Sequence, residues 1–81
     1  MIIQYDNELI NTNKCINIKL YKNKIQFITK IEGFKCDGYT AIYQYEDEAV
    51  ESFNKIIHAI KDDIKYITIK FIVNLYQGIC L

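Results

Sequence analysis

The side chains that could carry chemistry in this chain are one histidine, His58, the adjacent pair Asp62–Asp63, and three cysteines, Cys15, Cys36 and Cys80. A histidine near carboxylates is raw material for general acid–base work. Two neighbouring carboxylates can share a proton, and cysteines bind metals or exchange disulfides. The spacing favours none of these uses. His58 falls off the apolar stripe of its segment, beside Lys61 and Asp62, where it reads as solvent-facing. Asp62–Asp63 reads as the end of a helix. The cysteines are too far apart for metal-ligand or redox spacing, and read as small buried or half-buried thiols, with an intermolecular disulfide as the alternative. Gly33, Gly38 and Gly78 belong to no phosphate-binding loop. The expectation is no catalytic residue, no metal and no cofactor, and so no enzyme.

What remains is charge. Residues 14–35 hold Lys14, Lys19, Lys22, Lys24, Lys30 and Lys35 against Glu32 alone, a local charge of +5. Residues 37–51 hold Asp37, Glu46, Asp47, Glu48 and Glu51, a local charge of −5. The whole chain sums to zero and contains no arginine. Such asymmetry bears on association rather than on fold.

The elements that must position these charges follow from periodicity. Eighty-one residues, 51% of them hydrophobic, make one domain over 1–81 that is too apolar for disorder. Residues 1–5 can form a short strand, Asp6–Asn7–Glu8 a turn, and Leu9–Asn13 a second short extended piece. Residues 14–22 alternate, with Ile16, Ile18 and Leu20 on one side, and residues 24–32 repeat this with Ile25, Phe27, Thr29 and Ile31. The apolar sides coincide only if the loop between them has an even length, so Lys22–Asn23 is expected as a two-residue turn with Asn23 taking the positive φ. Tyr39–Tyr45 is a fourth strand whose facing the alternation leaves open. Ala49, Val50, Phe53, Ile56, Ile57 and Ile60 then recur at helical steps, after the acidic start Glu46–Asp47–Glu48. Residues 66–75 alternate again as a last long strand, closed by Gly78.

The order β-β-β-β-α-β predicts an α+β domain of two layers. One amphipathic helix covers one face of a four- to five-stranded antiparallel sheet. The expected core is Ile16, Ile18, Leu20, Ile25, Phe27, Ile31, Phe53, Ile56, Ile57, Ile60, Ile67, Ile69, Phe71 and Val73.

The uncovered sheet face is then the expected partner-binding surface. By parity it carries Lys19, Tyr21, Gln26, Ile28, Lys30, Tyr66, Lys70 and Ile72, with Asn17 and Thr68 among them. Aromatic and aliphatic groups in a polar frame suit a protein interface, whether with a partner or in a homodimer. Its ordinary alternative is a solvated sheet face. Lysines and tyrosines on a sheet also invite a nucleic-acid or nucleotide reading, against which stand the zero net charge, the missing arginine fork and the lack of a glycine–aromatic signature. Glu46, Asp47, Glu48 and Glu51 form a secondary acidic patch, suited to helix capping or to a basic partner protein. The start of the chain lacks a basic leader, and the longest uncharged stretch, Phe71–Leu81, is eleven residues, short of a bilayer span. A cytoplasmic chain with no membrane contact is expected.

The opening Asp6-Asn7-Glu8-Leu9-Ile10-Asn11-Thr12, the two alternating strands, and Glu48-Ala49-Val50-Glu51-Ser52-Phe53 opening a lone helix resemble the small anti-defence proteins carried by phages and mobile elements, anti-CRISPR proteins among them. The resemblance is one of overall style and assigns no residue a role. It implies a stoichiometric inhibitor that binds a nucleoprotein effector or sequesters a signal, without chemistry of its own. An accessory phage protein with no ligand is the remaining reading.

Overall fold

The computed structural model describes residues 1–5, 8–69 and 73–77. The chain is α+β, as its periodicity predicts. β1 (Ile2–Tyr5) and β2 (Glu8–Asn11) lead into a short 3₁₀ turn over Thr12–Lys14. β3 (Asn17–Tyr21), β4 (Lys24–Glu32) and β5 (Lys35–Ile42) form a meander, α1 (Glu46–Lys61) follows, and β6 (Tyr66–Thr68) and β7 (Val73–Gln77) complete the order.

The strands make two sheets rather than the single one expected. β2-β1-β6 is one, and β3-β4-β5-β7 is the other. The segment read as one long last strand is two short ones, and they belong to different sheets. β1 lies in the middle of the smaller sheet, antiparallel to β2 and parallel to β6, with Ile2 opposite Tyr66 and Ile3 opposite Ile67. Alternation reveals which side chains share a face; it does not reveal which sheet a strand joins.

The meander keeps the expected register. Leu20 opposes Ile25 and Ile18 opposes Phe27, so the loop Lys22–Asn23 is even. The positive φ falls on Lys22 (55°), not on Asn23. Asn23 instead serves as an anchor, its side-chain amide donating to the carbonyl of Tyr43 at 2.8 Å.

The helix obeys its signals at both ends. Glu46, Asp47 and Glu48 occupy its first turn, where negative charge meets the positive end of the dipole. The Glu48 carboxylate accepts from the Tyr45 N–H at 3.1 Å. At the far end the Asp63 N–H donates to the Ile60 carbonyl and the Ile64 N–H to the Ala59 carbonyl. This is a Schellman closure, with Asp63 at φ 55° in the position that usually takes glycine.

Both sheets and the helix share one core. Ile3, Ile10 and Ile67 come from the smaller sheet, Ile25, Phe27 and Ala41 from the larger, and Ala49, Ile56 and Ala59 from the helix. The facing of the 39–45 run is settled by packing: Ala41 and Tyr43 enter the core and Tyr39 lies against it. Three expected core residues, Ile16, Ile31 and Ile60, are exposed instead. Ile16 precedes β3, Ile60 sits in the last turn of the helix, and Ile31 lies beyond the register shift between Ile28 and Lys30, which turns it to the Cys36 side. Ile18, Leu20 and Phe53 are half-buried against the core, while Phe71 falls outside the described residues.

Candidate functional site: a projecting hairpin arm

Of the eight residues expected on an open sheet face, the six that are described do not form one. Lys19, Tyr21 and Lys30 are exposed on the larger sheet. Tyr66 is exposed too, but on β6 of the smaller sheet, so it shares no pleated surface with them. Gln26 and Ile28 are buried, at 4% and 7% exposure. They sit on β4, which is flanked by paired strands on both sides, opposite Thr40 and Gly38. Thr40 and Cys36 are buried with them, so the middle of the face turned away from the core is itself closed. Lys70 and Ile72 lie outside the described residues. Of the secondary patch, Glu46, Asp47, Glu48 and Glu51 are all exposed around the first turns of the helix.

The exposed feature that alternation does not reveal is the far half of the β4–β5 hairpin. Among the described residues, β3 covers β4 over Lys24–Ile28 and β7 covers β5 over Gly38–Ile42. Beyond these points β4 and β5 still pair with each other: Lys30 with Asp37, Ile31 with Cys36, and Glu32 with Lys35. The result is a hairpin arm with an exposed end, in which Cys36 is buried and disulfide-bonded. A register shift between Ile28 and Lys30 marks its root, where the Thr29 hydroxyl donates to the Asp37 carbonyl at 3.1 Å. Bulges bend a ribbon and raise its twist. Gly38 is required at this root, because a Cβ there would overlap the Phe27 carbonyl oxygen.

The arm ends in the two-residue loop Gly33–Phe34. Gly33 has φ 59°, the positive value that the first loop position of a type II′ hairpin demands. Phe34 is 94% exposed and Ile31 about half exposed. One face of the arm pairs opposite charges across the strands, Lys30 with Asp37 and Glu32 with Lys35, and Lys30 also bridges Glu32 at 3.2 Å. The arm therefore has a charge-laced face without net charge, and an apolar tip.

Two grooves accompany it. The larger, about 580 Å³, lies between the start of β3 and the end of the helix, with Ile16, Ile18, Ile60 and Ile64 on its apolar part and Asp63 and Lys65 at its rim. The smaller, about 430 Å³, is lined by Tyr43, Glu48, Glu51, Ser52 and Lys55. Burial raises the phenol pKa of Tyr43, a hydrogen bond with Ser52 lowers it, and the nearby Glu48 carboxylate raises it.

The residues singled out for chemistry stay apart. His58 is exposed on the last turns of the helix, and Asp62–Asp63 closes that helix as expected. Among the described residues, no three His, Cys, Asp or Glu side chains converge to hold a metal ion. Cys15 is a free, half-buried thiol whose pKa burial raises. Cys36 is disulfide-bonded, against the expectation of a thiol. No helix among the described residues is long and apolar enough to cross a membrane.

Comparison with known proteins adds no name to this geometry: no family model, curated protein or solved structure matches the chain.

Proposed function

We propose that the chain is a non-enzymatic binding module that occludes a partner protein, and that it docks through the arm tip around Phe34. The observation that supports this is the 94% exposure of a phenylalanine at the end of a hairpin. A folded chain gains nothing in stability from an aromatic ring held in water. The same ring becomes an anchor when a partner's pocket desolvates it. The short II′ loop presents the ring at small entropic cost, because the loop is already ordered.

A protein partner suits the arm better than nucleic acid does. Phosphate binding needs an excess of positive charge, and Lys30 and Lys35 are matched by Glu32 and Asp37. The acidic group Glu46, Asp47, Glu48 and Glu51 adds a surface that would favour a basic protein. An effector that itself holds nucleic acid fits this description, and the resemblance to anti-CRISPR inhibitors points to the same class of partner.

The test is retention of a defined partner by the full chain and by Phe34→Asp. A protein held stoichiometrically by the parent chain and released by the variant supports the reading. Equal retention by both overturns it. A nucleic acid retained with a steep salt dependence would instead favour the nucleic-acid regulator.

A further inference from the structure

The arm and the larger groove sit side by side. The Ile16 N–H donates to the Ile28 carbonyl at 2.8 Å, so the first wall of the groove begins where the arm departs. Each chain thus offers, at one end, an apolar finger tip of Ile31 and Phe34 and an apolar trough. The finger cannot be using its own trough, because Phe34 is almost fully exposed. We propose that the occupant of the groove is the arm of a second copy of this chain, in a two-fold dimer where each arm lies across the other's groove.

Three observations carry this. The first is placement. Because finger and trough share one end, a single two-fold axis satisfies both contacts at once and closes the assembly. The arm from Ile28 to Gly33 reaches roughly 17 Å, enough to cross a groove between a strand and a helix end. The second is surface type. Ile31 and Phe34 on the arm, and Ile16, Ile60 and Ile64 around the groove, are all exposed large apolar side chains. Reciprocal contact would cover ten of them, on the order of 1,000 Å² in all, near the lower limit for a biological interface. A weak, reversible dimer follows. The third is charge. Lys35, which faces Glu32 across the arm without forming an ion pair with it, flanks the finger tip, and Asp63, also in no ion pair among the described residues, rims the trough.

This inference rests on the arm being the docking element, and it adds regulation. Self-association and partner binding would compete for Phe34, so the dimer would be a reservoir that the partner draws on.

The experiment is sedimentation velocity of the full chain from about 1 to about 500 µM, a range that brackets a weak dimer. The parent chain should dimerise in that range. Phe34→Asp on the arm and Ile64→Asp in the groove should each weaken dimerisation at least about tenfold, the loss expected for an anchoring apolar residue. Both positions are exposed, and circular dichroism checks that each variant folds. Mixing the two variants is the decisive arm. Their heterodimer keeps one intact contact, the arm of Ile64→Asp in the groove of Phe34→Asp. The mixture should therefore associate more tightly than either variant alone. A parent chain that stays monomeric overturns the inference, as does an Ile64→Asp variant that dimerises normally, or a mixture no tighter than its parts. A monomer that still needs Phe34 to hold its partner would sink the dimer and leave the binding reading standing. A dimer with these properties that retains its partner without Phe34 would do the reverse.

Discussion

Asn23 and Tyr43 hold each other by two hydrogen bonds. The Asn23 side-chain amide donates to the Tyr43 carbonyl at 2.8 Å, and the Tyr43 N–H donates to the Asn23 carbonyl at 2.8 Å. The pair ties the β3–β4 turn to the residues that lead into the helix. It fixes the point where strand gives way to helix, and with it the direction in which the helix crosses the sheet.

Asn23→Ala removes one of these bonds and leaves the Tyr43 carbonyl with one partner fewer. The expected cost is about 1–2 kcal/mol, a fall of roughly 4–16 °C in melting temperature for a domain of this size. Thermal unfolding followed by circular dichroism measures it. Asn23→Gly should cost as much. A loss confined to loop conformation, rather than to the hydrogen bond, would distinguish the two variants.

Gly38→Ala places a methyl group against the Phe27 carbonyl. The backbone at the root of the arm must shift to admit it, and a loss of roughly 2–4 kcal/mol is expected. Gly33→Ala meets no atom within 4 Å, but it holds φ 59°, so it should cost less, about 1 kcal/mol. Urea denaturation of the two variants side by side checks the order. Equal losses would show that the root is not the tighter constraint.

Tyr43 gives a pH signature. Burial holds its phenol above the ordinary value of 10.0, so the folded chain keeps a proton that the unfolded chain loses first. That contribution is complete below pH 10, then declines as pH rises from 10 through the folded pKa, because the unfolded state binds fewer protons there. The Cys15 thiol, also raised by burial, has the same sign from its ordinary 9.0 upward. Denaturant titrations between pH 8 and 11 should show stability falling above about pH 9, and Tyr43→Phe should flatten the slope above pH 10. An unchanged slope would remove Tyr43 from the account.

Much of the fold is legible in the sequence because it rests on period. The even loop, the pairing of Ile18 with Phe27 and the helix from Glu46 to Lys61 all follow from the spacing of apolar residues. Ile31 shows where that logic ends. Its alternation with Thr29 and Phe27 is unbroken in the sequence, yet the register shift between Ile28 and Lys30 turns it to the Cys36 side, away from Phe27 and the core, and alternation carries no sign of a bulge. Gln26 departs in the opposite sense: its polar side chain suggests an open face, and it is buried, with Thr40 buried opposite it. Ile67 and Ile69 belong to the core, as their spacing predicts, but their strand's parallel partner, β1, is more than sixty positions away and leaves no local trace. Phe34 gives no signal in the sequence, because a single aromatic in a turn belongs to no pattern. Its meaning comes from the arm beneath it.

The parallel pairing of Ile3 with Ile67 also sets an order of events during synthesis. β1 leaves the ribosome before the meander and the helix, yet the strand that shields its second edge emerges only after the helix is complete. The meander and helix can form early, since their partners are close in the chain. The smaller sheet must wait for a contact of high sequence separation, which is slow to close. Until then the Ile3 side of the nascent chain is unprotected. A chaperone, or the association of two unfinished chains, would find it there.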